Sequence, residues 1–161
     1  MVNYKPLLPG HVLVISNRMV PRFTDLSANE VTDLYLTVQK VQKMLARVYF
    51  TDKNAEKGAV GKVEDGAFNL AMQDGVSAGQ TVPHVHCHII PRTKESSGVG
   101  DQIYERLEGE DGNVGGVLWD RSRPVPGGKM ARIDDDQRKI RPDEEMSKEA
   151  KFYREQMKLV D

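Results

Sequence analysis

The stretch His84-Val85-His86-Cys87-His88-Ile89-Ile90-Pro91-Arg92 holds three of the chain's four histidines, each separated from the next by one apolar residue. Side chains alternate across a β-strand, so on a strand over 81–90 the three imidazoles share one face, and Val85, Cys87 and Ile89 share the other. The second face suits a core. The first presents a row of nitrogen bases that titrate near neutral pH.

Working outward, Asp74-Gly75 through Gly79 reads as a turn, and Ala67 to Gln73 as the strand before it. A short Gly-rich connection between two strands implies an antiparallel hairpin. Further back, Pro6 and Pro9-Gly10 punctuate a turn ahead of the apolar run His11 to Ile15, a third strand. Ser27 and Glu30 have the spacing of a capping box. Val31, Leu34, Val38, Val41, Leu45 and Val48 then recur at threes and fours, which predicts a helix from about Ala28 to Tyr49 that packs on the sheet. Thr51 to Gly66 is charged and Gly-containing and reads as a loop. Beyond Arg92 the pattern weakens: Ile103 to Leu107 suits a helical turn, and the Gly-, Asp- and Arg-rich stretch that follows reads as a flexible insertion, anchored locally by Leu118 and Trp119. Pro142 with Asp143-Glu144-Glu145 opens a last helix, its acids at the positive end of the dipole. The expected partition is a core over 1–107, an insertion over 108–141 and a C-terminal helix over 142–161.

The composition excludes several classes. The formal net charge is −1, so nothing draws the chain to long nucleic acid or an anionic membrane, although a local pocket for a small anion stays open. Cys87 is the only cysteine, which rules out an internal disulfide and suits a reducing compartment. If the strand is regular, Cys87 points away from the histidines and is a small core residue. Residues 1–10 lack a signal-peptide core, and no segment is long enough to span a bilayer. The expectation is a soluble cytoplasmic protein with access to the nucleus.

Three readings compete for the histidine row. A polar strand face explains one or two histidines well and three alternating ones poorly. Zinc could use three imidazoles with an open fourth position. However, same-face neighbours stand about 7 Å apart at a rise of roughly 3.3 Å per residue, too far to converge easily on one ion. His11 could bring a ligand from another strand, which keeps zinc open. The third reading is covalent catalysis, in which a central neutral imidazole attacks phosphorus and forms a labile phosphohistidine. Gln73, Gly79, Gln80 and Thr81 bracket the turn into the strand with amide, hydroxyl and backbone N–H donors suited to phosphate oxygens.

The alternating triad, preceded by Gly79-Gln80-Thr81-Val82 and Met72-Gln73-Asp74-Gly75, resembles the histidine triad (HIT) family of nucleotide hydrolases and transferases. Val2-Asn3, Lys5-Pro6, Pro9 to Val14, Pro91-Arg92 and Ile103-Tyr104-Glu105 extend the resemblance toward its fragile histidine triad branch, the dinucleoside triphosphate hydrolases. The resemblance covers about 1–107 and a helix near the C-terminus. It implies an α+β, HIT-like fold: a mostly antiparallel sheet with helices packed on one face, usually as a homodimer. It implies cleavage of a diadenosine triphosphate-like (Ap3A-like) dinucleotide to AMP and ADP through a nucleotidyl-histidine. His86 matches the nucleophile, His84 and His88 the flanking histidines, and His11 a fourth, supporting histidine. Gln73, Gly79, Gln80, Thr81, Val82 and His88 match substrate contacts, Asn3 a ribose contact, and Tyr104 a tyrosine on the loop after the triad. No tightly bound cofactor or protein-held metal is expected, with a divalent cation (Mg or Mn) accompanying the substrate phosphates. Two further strands ordinarily precede the segment that aligns with Val2-Asn3. Their absence would thin the base pocket and leave a sheet edge open. Two other outputs fit the same pocket: a nucleotide-binding signalling module with slow turnover, and a purine nucleoside phosphoramidate hydrolase.

Overall fold

The computed structural model describes residues 1–51, 59–93 and 140–160. The expectations for Ile103–Leu107, Tyr104, Leu118, Trp119 and nearly all of the 108–141 insertion lie outside these residues. The described elements are β1 (Val12–Ile15), α1 (Ala28–Tyr49), β2 (Ala67–Ala71), β3 (His86–Arg92) and α2 (Asp143–Met157). The strands form an antiparallel sheet in the order β1-β3-β2, so the histidine strand is central and β2–β3 is the expected hairpin. This is the α+β arrangement read from the sequence.

The register sorts the side chains. Val12 pairs with Ile89 and Val14 with Cys87, while Leu13 pairs with His88 and Ile15 with His86. Residues opposite one another in a ladder share a face, so Val12, Val14, Cys87 and Ile89 form one apolar face. α1 packs on it through the predicted stripe, with Leu34, Val38 and Leu45 buried in the same core. The helix starts where the capping box places it: Ser27 Oγ accepts from the Glu30 N–H, and Glu30 Oε2 accepts from the Ser27 N–H at 2.7 Å. α2 joins this core through Tyr153, Met146, Ala150 and Met157. Cys87 is a buried core residue, and burial pushes its thiol up to about 11, which leaves no thiolate at neutral pH.

The opposite face, with His88 and Ile90, is covered as well. The arm of residues 2–11 folds over it: Leu7 packs on Ile90, with Leu8 and Ala71 alongside. The arm is tied to β1 by a bridge between Val2 and Val12 and by the Asn3 N–H donating to the His11 carbonyl. It turns back at Gly10, whose φ of +81° is the left-handed region.

One expectation is corrected here. The histidine strand begins at His86, not near Thr81, so His84 lies before the ladder and strand alternation does not fix its side. Pro83 has no N–H to give a ladder, and the His84 N–H folds back onto the Val82 carbonyl at 2.7 Å. The chain therefore bends over 82–84 and enters the sheet two residues later.

Candidate active site

The site is built on β3. His86 and His88 lie two residues apart on one face, their ring centroids 5.1 Å apart. Both are buried, at 5% and 0% exposure. His11, brought in by the arm, sits over His88 with a ring-centroid separation of 5.2 Å. The fold thus gathers three of the four histidines into one cluster, while the bend places the fourth, His84, at its edge.

The hydrogen bonds fix where each proton sits. A backbone N–H can only donate, so the Leu7 N–H, 3.1 Å from His11 Nδ1, makes that nitrogen an acceptor. The His11 proton is then on Nε2, which donates to His88 Nδ1 at 2.9 Å. That bond in turn places the His88 proton on Nε2, and this buried N–H has no hydrogen-bond partner among the described residues. His86 follows the same logic in the opposite sense. Its Nδ1 lies 2.7 Å from the His84 carbonyl, which can only accept, so the proton is on Nδ1 and the Nε2 lone pair is free.

Two imidazoles on one strand are therefore held in opposite tautomers: His86 offers a lone pair and, beside it, His88 offers an N–H. Burial holds both in the neutral form. It pulls His86 below its ordinary value, and with the neighbouring His86 it pulls His88 down to about 3. A neutral imidazole with an exposed lone pair attacks an electrophile, and a fixed N–H beside it stabilises negative charge that develops there. Among the described residues no group of three or more His, Cys, Asp or Glu is arranged to hold a metal ion.

The remaining site expectations fall in different places. His84 acts on His86 through its main-chain carbonyl; its own ring donates from Nε2 to the Ser16 carbonyl at 2.7 Å. Gln80 makes two internal bonds. Its Oε1 accepts from the Gly75 N–H at 2.9 Å and its Nε2 donates to the Pro21 carbonyl at 2.8 Å. Those partners fix the amide orientation and use it to close the 75–80 turn. Asn3 is also taken up internally: it is 1% exposed, its Oδ1 accepts from the Lys5 N–H, and its Nδ2 lies 3.2–3.3 Å from the His11 ring nitrogens. Its side chain supports the relay. Gly79 takes φ +85° at the end of the turn, and its N–H donates to the Val76 carbonyl. Gln73 is buried beyond the end of β2, and Thr81 and Val82 are half-buried on the approach to the histidines. The sequence reading missed Leu7 and Ser16. Both act through the main chain, so no residue type could have flagged them.

An α+β fold whose central strand carries a neutral histidine pair in opposite tautomers defines a histidine-centred protein equipped for nucleophilic attack on an electrophile such as phosphorus. The HIT domain family model matches residues 1–95, and the chain belongs to that family. It is 42% identical over 160 residues to the bis(5'-nucleosyl)-tetraphosphatase [asymmetrical] of Schizosaccharomyces pombe, across 95% of this chain and 80% of that protein. It is 50% identical over 108 residues to the bifunctional bis(5'-adenosyl)-triphosphatase/adenylylsulfatase FHIT of Arabidopsis thaliana, across 67% of this chain and 52% of that one. The crystal structure of the C. elegans NitFhit protein superposes with a TM-score of 0.59 at 30% identity, covering 97% of this chain and 24% of that one. Among the described residues no helix is long and apolar enough to cross a membrane.

Proposed function

We propose that this protein hydrolyses dinucleoside polyphosphates of the Ap3A type through a nucleotidyl intermediate on His86. One observation carries the reading: the bond from His86 Nδ1–H to the His84 carbonyl leaves the Nε2 lone pair free, beside the unpartnered Nε2–H of His88. The activities for which the relatives are named, a tetraphosphatase and a triphosphatase, support the substrate class. In the first step His86 Nε2 bonds to the α-phosphorus and the bond from that phosphorus to the bridging oxygen breaks, releasing ADP from Ap3A or ATP from a tetraphosphate. The His88 N–H stabilises the charge that builds on the phosphoryl oxygens. In the second step water displaces His86 from phosphorus, releases AMP and restores the lone pair. Thr81, Val82, Gln73 and the main chain at Gly79 line the approach, and a divalent cation, Mg or Mn, travels with the substrate phosphates. The working unit is a homodimer in the cytoplasm; light scattering on the purified chain checks its mass.

The test is mass spectrometry of the reaction with Ap3A, stopped in alkaline denaturant to preserve the P–N bond. An AMP adduct on the peptide bearing His86 is the expected result. His86→Ala should lose turnover and adduct together while still binding nucleotide; near-normal turnover in that variant defeats the assignment.

A further inference from the structure

Arg141 lies 46 residues beyond the end of the family match, at the entrance to α2. Its guanidinium is nevertheless directed at the arm that supports the histidines. Nη2 donates to the main-chain carbonyl of Asn3 at 2.5 Å and Nη1 donates to Glu149 Oε2 at 2.5 Å, while the Arg141 N–H donates to the Tyr4 carbonyl. Both charged side chains are largely buried, at 13% and 19% exposure. The carboxylate is held in turn. Tyr153 donates its hydroxyl proton to Glu149 Oε1 at 2.8 Å, so the short contact between the Tyr49 and Tyr153 hydroxyls has Tyr49 as donor. The Tyr49 ring packs so closely on Gly10 that a Cβ there would meet it at 2.6 Å. The arm is thus gripped from α2 at both ends, at Asn3 by Arg141 and at Gly10 through Tyr49. Between those points lies Leu7, whose N–H sets the His11 tautomer, and directly after Gly10 comes His11, which sets that of His88.

Beyond the pairing of Val2 and Asn3 with the β1 side, the arm is loop backbone with no ladder to hold it against a buried ring. A planar guanidinium that donates to a carboxylate through Nη1 and to a carbonyl through Nη2 is a stiff tether, and a short exposed side chain could not replace it. We propose that Arg141 is a positioning residue for the histidine centre: it holds the Asn3–His11 arm where Leu7 and His11 keep the proton on His88 Nε2. The inference rests on the proposed His86-centred hydrolysis for its catalytic consequence, but its structural consequence can be read without turnover.

The experiment compares the wild-type chain with Arg141→Gln, Arg141→Lys and Met157→Ala. Met157 packs on the core from the end of α2 and takes no part in these hydrogen bonds, so its variant loosens the helix without removing any of them. Two readouts are taken: the ring nitrogen signals of His11 and His88 by NMR in the free protein, and kcat and KM on Ap3A. Arg141→Gln should turn the single-tautomer signals into a mixture and lower kcat about tenfold with KM changed less than about twofold, as expected for a misplaced group that acts in the transition state. Arg141→Lys, able to keep one of the two bonds, should fall between Gln and wild type. Met157→Ala should keep wild-type signals and kcat at a comparable loss of thermal stability. Unchanged ring signals and kcat in Arg141→Gln overturn the inference. So does an equal kcat loss and equal signal mixing in Met157→Ala at a matched drop in Tm. If Arg141→Gln does not fold, the ring signals of Arg141→Lys decide. If wild type hydrolyses no dinucleotide, the proposed function fails, and the ring signals still decide this inference.

Discussion

The buried neutral state of His88 makes an acid-stability prediction. In the unfolded chain this imidazole returns to its ordinary 6.5, whereas in the fold burial and the adjacent His86 hold it at about 3. Its folded value is depressed, so below 6.5 the unfolded state binds the extra proton. Stability is therefore intact above the unfolded value and is lost as pH falls through the window from 6.5 to about 3. Each unit of separation corresponds to about 1.4 kcal/mol, so His88 alone should remove about 2.5 kcal/mol of unfolding free energy between about pH 6 and about pH 4. His86 is depressed by burial as well and contributes in the same direction. The assay is urea denaturation at a series of pH values for wild type and His88→Asn, comparing slopes and not absolute stabilities. Carboxylates and His86 titrate in both proteins and cancel in the difference. The variant should show the shallower acid dependence by about 2.5 kcal/mol over that range. Parallel curves would mean that His88 is protonated in the fold at mild acid pH, and the tautomer relay through His11 would be refuted with it.

Two packing predictions follow. Gln80→Leu keeps the bulk but leaves the Gly75 N–H and the Pro21 carbonyl without their side-chain partner. It should cost roughly 2–3 kcal/mol by denaturant titration, and a neutral result would show that water replaces the amide. Gly10→Ala puts a Cβ 2.6 Å from the Tyr49 ring and 2.9 Å from Pro91 Cγ, at φ +81°. Backbone strain and overpacking together should cost roughly 2–4 kcal/mol, again read from denaturant midpoints; a loss below about 1 kcal/mol would show that the arm relaxes around the new methyl.

Much of the fold was readable from local pattern. The α1 stripe and its capping box gave both helix ends, because a 3.6-residue period and an N-cap are properties of contiguous residues. The alternation of Val85, Cys87 and Ile89 with the histidines gave the core face of β3 and the burial of Cys87. Alternation could not show where the strand starts. Pro83 was visible, but the competing bond from the His84 N–H to the Val82 carbonyl was not, and the ladder starts beyond it, at His86. Gln80 was recognised by residue type as a donor, and Asn3 through the family resemblance as a ribose contact. Donors serve whichever acceptor the fold brings nearest, and here those are Pro21 and the His11 ring.

The order of residues along the chain was enough to indicate a family, a hairpin and a helix and to single out the histidine row, since each depends on spacing within a few positions. Which nitrogen of each histidine carries the proton depends on Leu7 reaching His11 and His11 reaching His88, a separation of 77 residues in the second case. A tautomer is set by the partner on the far side of the ring, and that partner exists only once β1, β3 and the arm are packed together.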